Sequence, residues 1–496
     1  MQLWVASISV WMMCSRRRKD MKKWMKNRIL HRVSIVMALA LFTLWIPLGF
    51  TNHNINYDFV ESFDVLFDQL KEHYVLGEYR ETDWDGLYET YIQGMKMAEE
   101  ERDSYQAYKL LRQFADSFYD GHVSASFESE DEEYKQRYKE ECAGMDYGFS
   151  IVRHADGRYV VVNVDQELPA YELGVRDGME IVSLNGTPVE QLVDEASPWF
   201  FSFPIEEDEA FFKGLAVMSK LTGTLQLTYK DANKTEHTIS LEEQGNYVER
   251  FDQTYEIMMH NNQNGNLTYH MLDEDTAYFS LTDMLIDESI GRESSENEFE
   301  QDRSYEELHA QTKYLLDKMK EQGAKNLIID MRGNRGGYAE VSMAVASCFL
   351  DQSVVFKEGI YEAGKKEYDV YEEIVCPAEN EWGNGQVVIL VNHNTVSAAE
   401  IFLYFMRHQE NVTVMGFTNS CGAAMSVKGA SAPLFYMSYS GMLTLDENDE
   451  ILIDPGMDRQ CKIPVDIRIP LDDKAIQNLF VEKKDYVLQY ALDYLQ

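Results

Sequence analysis

Apolar positions along the chain keep two rhythms. From Asn56 to Tyr119 they recur every three or four residues: Phe59, Phe63, Leu66, Phe67, Leu70 and Tyr74, then Leu110, Leu111, Phe114 and Phe118. That spacing lines one face of a helix and predicts a small helical domain over 56–135. Farther on, apolar residues come in short unbroken runs, around Tyr159–Val162, Thr276–Leu281, Asn326–Met331 and Val387–Val391. Such runs, rich in Val and Ile and closed by turn residues, predict strands buried on both faces, as in a parallel sheet. An amphipathic helix is predicted over Ser304–Gln322, with Leu308, Tyr314, Leu315 and Met319 on its apolar side, and residues 471–496 are predicted to be helical. Strand and helix alternate to about Met415, the pattern of an α/β core.

Three breaks in this pattern carry candidate chemistry. The Val387–Val391 strand stops at Asn392-His393-Asn394-Thr395, and a helix is predicted from Ser397. A serine at that junction either caps the helix or exposes its hydroxyl at the positive end of the helix dipole, where an oxyanion can be held. The Asn326–Met331 strand runs into Arg332-Gly333-Asn334-Arg335-Gly336-Gly337, whose glycines let the backbone approach a ligand and aim N–H groups at it. Two such turns at the carboxyl edge of one sheet would bring a hydroxyl from one and amides from the other. The third break, Asp120-Gly121-His122, is a turn before a short strand, Val123–Phe127; a histidine there, taken alone, reads as polar surface.

Between these breaks lie two further segments. Glu128–Glu141 reads as a charged helical linker. Tyr147-Gly148-Phe149 then opens a β module over 140–245, with a short helix from Pro169, a Gly174-Val-x-x-Gly178 turn, a Leu184-Asn-Gly hairpin, and closing strands near Leu225–Tyr229 and His237–Leu241. Ile286–Asp302 is acidic and Ser/Glu-rich, which predicts a flexible insertion or lid.

Charge narrows the partners. The 496 residues hold 45 Lys and Arg against 85 Asp and Glu, a formal net charge of −40, which repels nucleic acid. The N-terminal fifty residues run the other way, with basic clusters at Arg16–Lys19 and Lys22–Arg28 ahead of an uncharged stretch, Val33–Phe50. As a helix that stretch is about 27 Å long, barely a bilayer span. It predicts an uncleaved signal anchor with residues 1–32 cytoplasmic and the remainder extracellular; Met21 would make a more ordinary start than Met1. The six cysteines, at 14, 142, 348, 376, 421 and 461, form no CxxC pair, so neither a disulfide framework nor a zinc site is expected, though one bridge beyond the anchor stays open. No metal or cofactor is implied.

Taken together, Asp330-Met331-Arg332-Gly333-Asn334-Arg335-Gly336-Gly337 and Ser397-Ala398-Ala399-Glu400 resemble the paired turns of the S41-type, C-terminal processing (tail-specific) serine peptidases and their tricorn-like relatives. The 140–245 module resembles a PDZ domain. The resemblance runs from about Tyr57 to Pro470 and implies a mixed multidomain α/β protein: an N-terminal helical region, a PDZ-like β module and a mostly parallel peptidase core over 265–470. It implies Ser397 as nucleophile, amides near Gly336 and Ala398 as the oxyanion site, and peptide or protein substrates. Their C-termini would be taken by the amides of Tyr147, Gly148 and Phe149, as PDZ domains do by strand addition.

The sequence departs from the processing-peptidase pattern in one respect. Those enzymes carry a lysine about 25 residues after the serine, but here that position is Gly422 and the next lysine is Lys428. The tricorn-like branch instead implies His122 as general base and Asp458 as the acid that orients it, with Lys428 the second choice of base. The rival expectations are a catalytically inactive PDZ receptor and a surface scaffold.

Overall fold

The computed structural model describes residues 57–127, 131–285, 299–361 and 368–496. Two compact units divide the chain, residues 1–56 with 286–307 and residues 57–285 with 308–496; the description that follows is of the second. The predicted anchor, Val33–Phe50, lies outside the described residues, as does most of the acidic Ile286–Asp302 insertion. Among the described residues no helix is long and apolar enough to cross a membrane. The membrane-anchored, extracellular placement drawn from the N-terminal pattern is therefore corrected: no spanning element among the described residues supports it.

Helices Phe59–His73, Trp84–Glu101 and Ser104–Asp116 form the expected N-terminal bundle, and the three- and four-residue spacing does face inward, with Phe59, Phe63, Leu66, Phe67 and Leu70 all buried. The second and third start on Asp83 and Asp103, whose carboxylates accept the Gly86 and Gln106 N–H groups and so satisfy amides that lack helical partners. The bundle does not stand alone. Its following strand, β1 (Ser124–Phe127), pairs antiparallel with a strand far along the chain, placing Phe127 opposite Phe435, and the two share one apolar core.

After the Asp131–Ala143 helix comes the β module: β2 (Ser150–Arg153), β3 (Tyr159–Val162), β4 (Glu180–Leu184), β5 (Thr187–Pro188), β6 (Leu225–Lys230) and β7 (Glu236–Leu241), in the order β2-β3-β4-β6-β7 with β5 beside β4. The core sheet follows, made from β8 (Thr268–Met271), β9 (Thr276–Ser280), β10 (Asn326–Asp330), β13 (Val387–Leu390), β14 (Val412–Gly416) and β17 (Ile467–Arg468). Its order is β17-β14-β13-β10-β9-β8, parallel throughout except for edge strand β8. β10 and β13 are neighbours, paired Asp330 to Leu390, so the glycine-rich turn and the serine turn leave the same edge side by side.

Strand–helix alternation is interrupted by an antiparallel hairpin, β11 (Val354–Tyr361) and β12 (Tyr368–Cys376), which joins β15 (Ser426–Ser431), β16 (Phe435–Leu445) and β1 in a second sheet. The predicted amphipathic helix spans Phe299–Glu321, but Tyr314 is 59% exposed and Leu316, outside the expected apolar set, is buried. The tail is helical over Asp473–Ile476 and Tyr486–Leu495.

Candidate active site

The glycine-rich turn is fixed from beneath. Arg332 is buried and reaches both Asp330 (2.9 and 2.6 Å) and Asp485 (2.8 and 2.7 Å), while Tyr278 donates to Asp330 at 2.8 Å. Buried charges persist only when paired in this way. The Asn334 side chain donates to the Leu281 carbonyl (2.9 Å) and accepts the Gly336 N–H (2.9 Å). Thr395 Oγ1 donates to the Met331 carbonyl, and Asn392 accepts from Gly333 N–H, so the two turns are stitched together.

Gly336 has φ 82°, and a Cβ there would stand 2.7 Å from Ser397 Cβ and 2.6 Å from the Val396 carbonyl. Only glycine fits.

Ser397 is at the head of the Ala398–Met406 helix with φ 64° and ψ −127°, a region costing a non-glycine residue about 1–3 kcal/mol. Its N–H points at the Ala423 carbonyl (2.9 Å) and at Glu400 Oε2 (3.2 Å). Glu400 is fully buried and also accepts the amides of Gly422 (2.7 Å) and Ala423 (2.9 Å); burial raises its pKa against those donors. The Ser-Ala-Ala-Glu sequence thus binds the serine turn to the 420–424 loop. Ser397 itself is half-buried.

Ala398 follows Ser397 at the head of the helix, and its amide is left without an acceptor among the described residues. The Gly336 N–H is taken up by Asn334 Oδ1, whereas the next amide in the turn, that of Gly337, has no acceptor among the described residues. Near Gly336 and at Ala398, the amides of Gly337 and Ala398 are thus the candidates for an oxyanion site.

His122 is buried, its N–H bonded to Asp120 Oδ1 (2.8 Å) and its carbonyl to Ser438 Oγ (2.7 Å). Burial lowers its pKa, and the Asp120 carboxylate partly offsets this. The loop lies against the same 420–424 segment that holds Ser397: a Cβ on Gly121 would be 2.5 Å from Cys421 Sγ and 2.9 Å from Ala423 Cβ. Ala423 is thus the shared neighbour of the histidine and serine loops. No hydrogen bond joins Ser397 to His122 among the described residues, and His122 Nδ1 is buried without a partner. Apo active sites are often this loose and tighten on substrate.

Asp458 does not serve His122 in this arrangement. It is exposed, and its carboxylate accepts the Gln460 N–H in its own turn (3.2 Å). The buried acids near the histidine loop are ones that spacing had not flagged. Asp120 accepts Tyr74 OH at 3.0 Å. Asp454 accepts Ala424 N–H at 3.1 Å and leaves Oδ1 unpartnered. Burial, with Asp120 next in effect, pushes the Asp454 pKa well above its usual range. Lys428 lies on β15 opposite Tyr439, exposed, with its stem over Gly441; partial desolvation lowers its pKa.

In the β module, Tyr147 and Phe149 are buried, and the Gly148 N–H is already taken by Asp146 Oδ1 (2.8 Å). Arg250 holds that carboxylate through two bonds, at 2.6 and 2.9 Å. The Glu206–Ala216 helix lies directly on β2: a Cβ on Gly214 would be 2.8 Å from the Ile151 carbonyl. An added peptide strand has no room between them as they stand.

The site sets a strained serine at a strand-to-helix junction against the glycine-rich turn of the neighbouring strand, and homology to the S41 peptidases makes its class that of a serine-type peptidase. The family described as Peptidase family S41 matches residues 276–445, and the PDZ domain family matches residues 146–249. The carboxy-terminal processing protease CtpA of Bacillus subtilis is 26% identical over 404 residues, covering 80% of this chain and 68% of that one. A carboxyl-terminal-processing protease of Picosynechococcus is 27% identical over 105 residues, 20% of this chain and 23% of that one. Mature CPAF, solved with lactacystin, shares the fold with TM-score 0.53 at 13% identity, over 88% of this chain and 98% of that one. The chain thus carries an S41 peptidase domain over residues 276–445 and a PDZ domain over 146–249, and is homologous to a carboxy-terminal processing protease.

Proposed function

We propose that the protein is an endopeptidase acting on peptide and protein substrates, with Ser397 as nucleophile and His122 as general base. Ser397 Oγ attacks the scissile carbonyl as its proton passes to the imidazole, which later returns it to the leaving amine. The Gly337 and Ala398 amides receive the negative charge on the tetrahedral intermediate. The observation that carries this reading is the contact between Gly336 and Ser397, which sets a strained serine against free amides. His122 is favoured over Lys428 because its loop and the serine turn share Ala423, whereas Lys428 sits exposed on a strand whose partner is β16. Asp120 is the acid bonded to the histidine segment and is favoured over Asp458 as its support.

Casein digestion with purified full chain tests the proposal. Wild type is expected to release internal fragments, and Ser397→Ala to release none while keeping its circular dichroism. Undiminished digestion by Ser397→Ala would overturn it.

A further inference from the structure

We propose that Arg335 is a specificity residue of this site that binds a carboxylate of the peptide substrate next to the scissile bond; this rests on the peptidase reading above. Arg335 stands between two residues that touch the serine turn. The Asn334 carbonyl accepts the Val396 N–H at 2.9 Å, and Gly336 abuts Ser397 Cβ. The side chain is exposed, and among the described residues no hydrogen bond or ion pair holds its guanidinium. Arg332, three residues earlier in the same turn, is locked to Asp330 and Asp485.

The contrast matters because acids outnumber bases 85 to 45 in this chain. In so acidic a protein an exposed guanidinium readily finds a carboxylate. This one, with five donors and no acceptor, is left without a partner among the described residues, in the turn that abuts Ser397. Its charge reaches the Asn392–Asn394 turn, where it adds to burial in bringing the His393 pKa down to about 4.

The surroundings suit a peptide. Leu285 and Tyr338, 53% and 48% exposed, flank the neighbouring Gly337, where a Cβ would be 3.0 Å from Leu285 Cδ2. They offer apolar walls to a chain whose carboxylate meets the fork. A planar guanidinium takes a carboxylate through two parallel bonds, which a lysine cannot do. The carboxylate is either an acidic side chain or the substrate's free C-terminus. The PDZ loop does not offer the Gly148 amide for that purpose, since Asp146 occupies it.

The test starts from casein cleavage sites mapped by mass spectrometry with the full chain. Short peptides spanning the best site are then made with Glu, Gln or Lys at each flanking position, and with a free or amidated C-terminus. Wild type is expected to prefer Glu over Gln, or acid over amide, by about fivefold in kcat/KM at one position, as a half-exposed ion pair allows. That preference should shrink at about 0.5 M salt. Arg335→Gln should erase it, and Arg335→Glu should shift the preference to Lys. A Glu-specific effect assigns a side chain, and an acid-over-amide effect assigns the C-terminus. Identical ratios in wild type and Arg335→Gln, with Ser397 in both still labelled by a fluorophosphonate, would overturn the assignment. Wild type that neither cleaves nor labels would instead overturn the peptidase reading, and this inference with it.

Discussion

The two halves of the site are built differently. The serine half is local to one sheet: β10 and β13 are paired neighbours, and Asn334, Asn392, Thr395 and Glu400 bind their turns to each other and to the 420–424 loop. The histidine half is assembled from the far ends of the chain. His122 bonds Ser438, Tyr74 bonds Asp120, and buried polar atoms of His122, Asp454 and Arg80 have no partners. On the proposed reading the nucleophile is therefore held in place before substrate arrives, whereas the base retains slack that a bound substrate can take up.

Breaking the rigid half should do the most. Ser397→Ala is expected to lower kcat by about 10⁴-fold or more, read by fragment release from casein. Gly336→Ala should come next. The added methyl meets Ser397 Cβ and the Val396 carbonyl, and φ is 82°, so activity should fall by roughly 10²–10³-fold. Thermal unfolding should show a loss of about 1–3 kcal/mol. Glycine-like activity in Gly336→Ala would mean that the two turns are not in contact.

On the looser side, His122→Ala should cost roughly 10²–10⁴-fold in kcat, and Lys428→Ala only a few-fold. The pH profile sharpens the comparison. On the proposed mechanism the neutral imidazole is the base, and burial lowers its pKa below the unfolded value near 6.5. Activity should therefore persist below about pH 6.5 and fall as pH drops through the lower folded value. Stability follows the same sign, since the unfolded chain binds the proton first. The smallest effect is expected from Asp454→Asn. Burial and the neighbouring Asp120 push the Asp454 pKa well above its usual range, so an uncharged amide that still accepts the Ala424 N–H should change stability by about 1 kcal/mol or less. A large loss would mean that Asp454 is ionised and paired in the working enzyme.

The same division governs what the sequence reveals. The strand runs and both turns of the serine half are legible because their signals are contiguous: Val387–Val391 into Ser397, and Asn326–Met331 into Gly336. His122 was reachable only through family resemblance, since nothing near it in sequence says that Ser438 and Ala423 are its neighbours. Asp458 looked right by spacing, but an Asx turn onto Gln460 keeps its carboxylate at home. Asp454 carried no sequence signal, and its burial is a product of tertiary packing. Gly336 showed that an amide is needed near the serine but not which one, because the Asn334 side chain decides that. The closed contact of Gly214 with Ile151 likewise depends on the docking of a helix onto a strand more than fifty residues earlier.

The most direct test of the paired account is the rate of fluorophosphonate labelling of Ser397 as a function of pH, in wild type, His122→Ala and Lys428→Ala. Labelling needs only the activated hydroxyl and the oxyanion amides, so it isolates this site from substrate choice. Wild type and Lys428→Ala should share one profile, with an acid limb below about pH 6.5, and His122→Ala should label slowly at every pH with that limb absent. A His122→Ala profile that matches wild type, with Lys428→Ala unreactive, would contradict the account and make Lys428 the base.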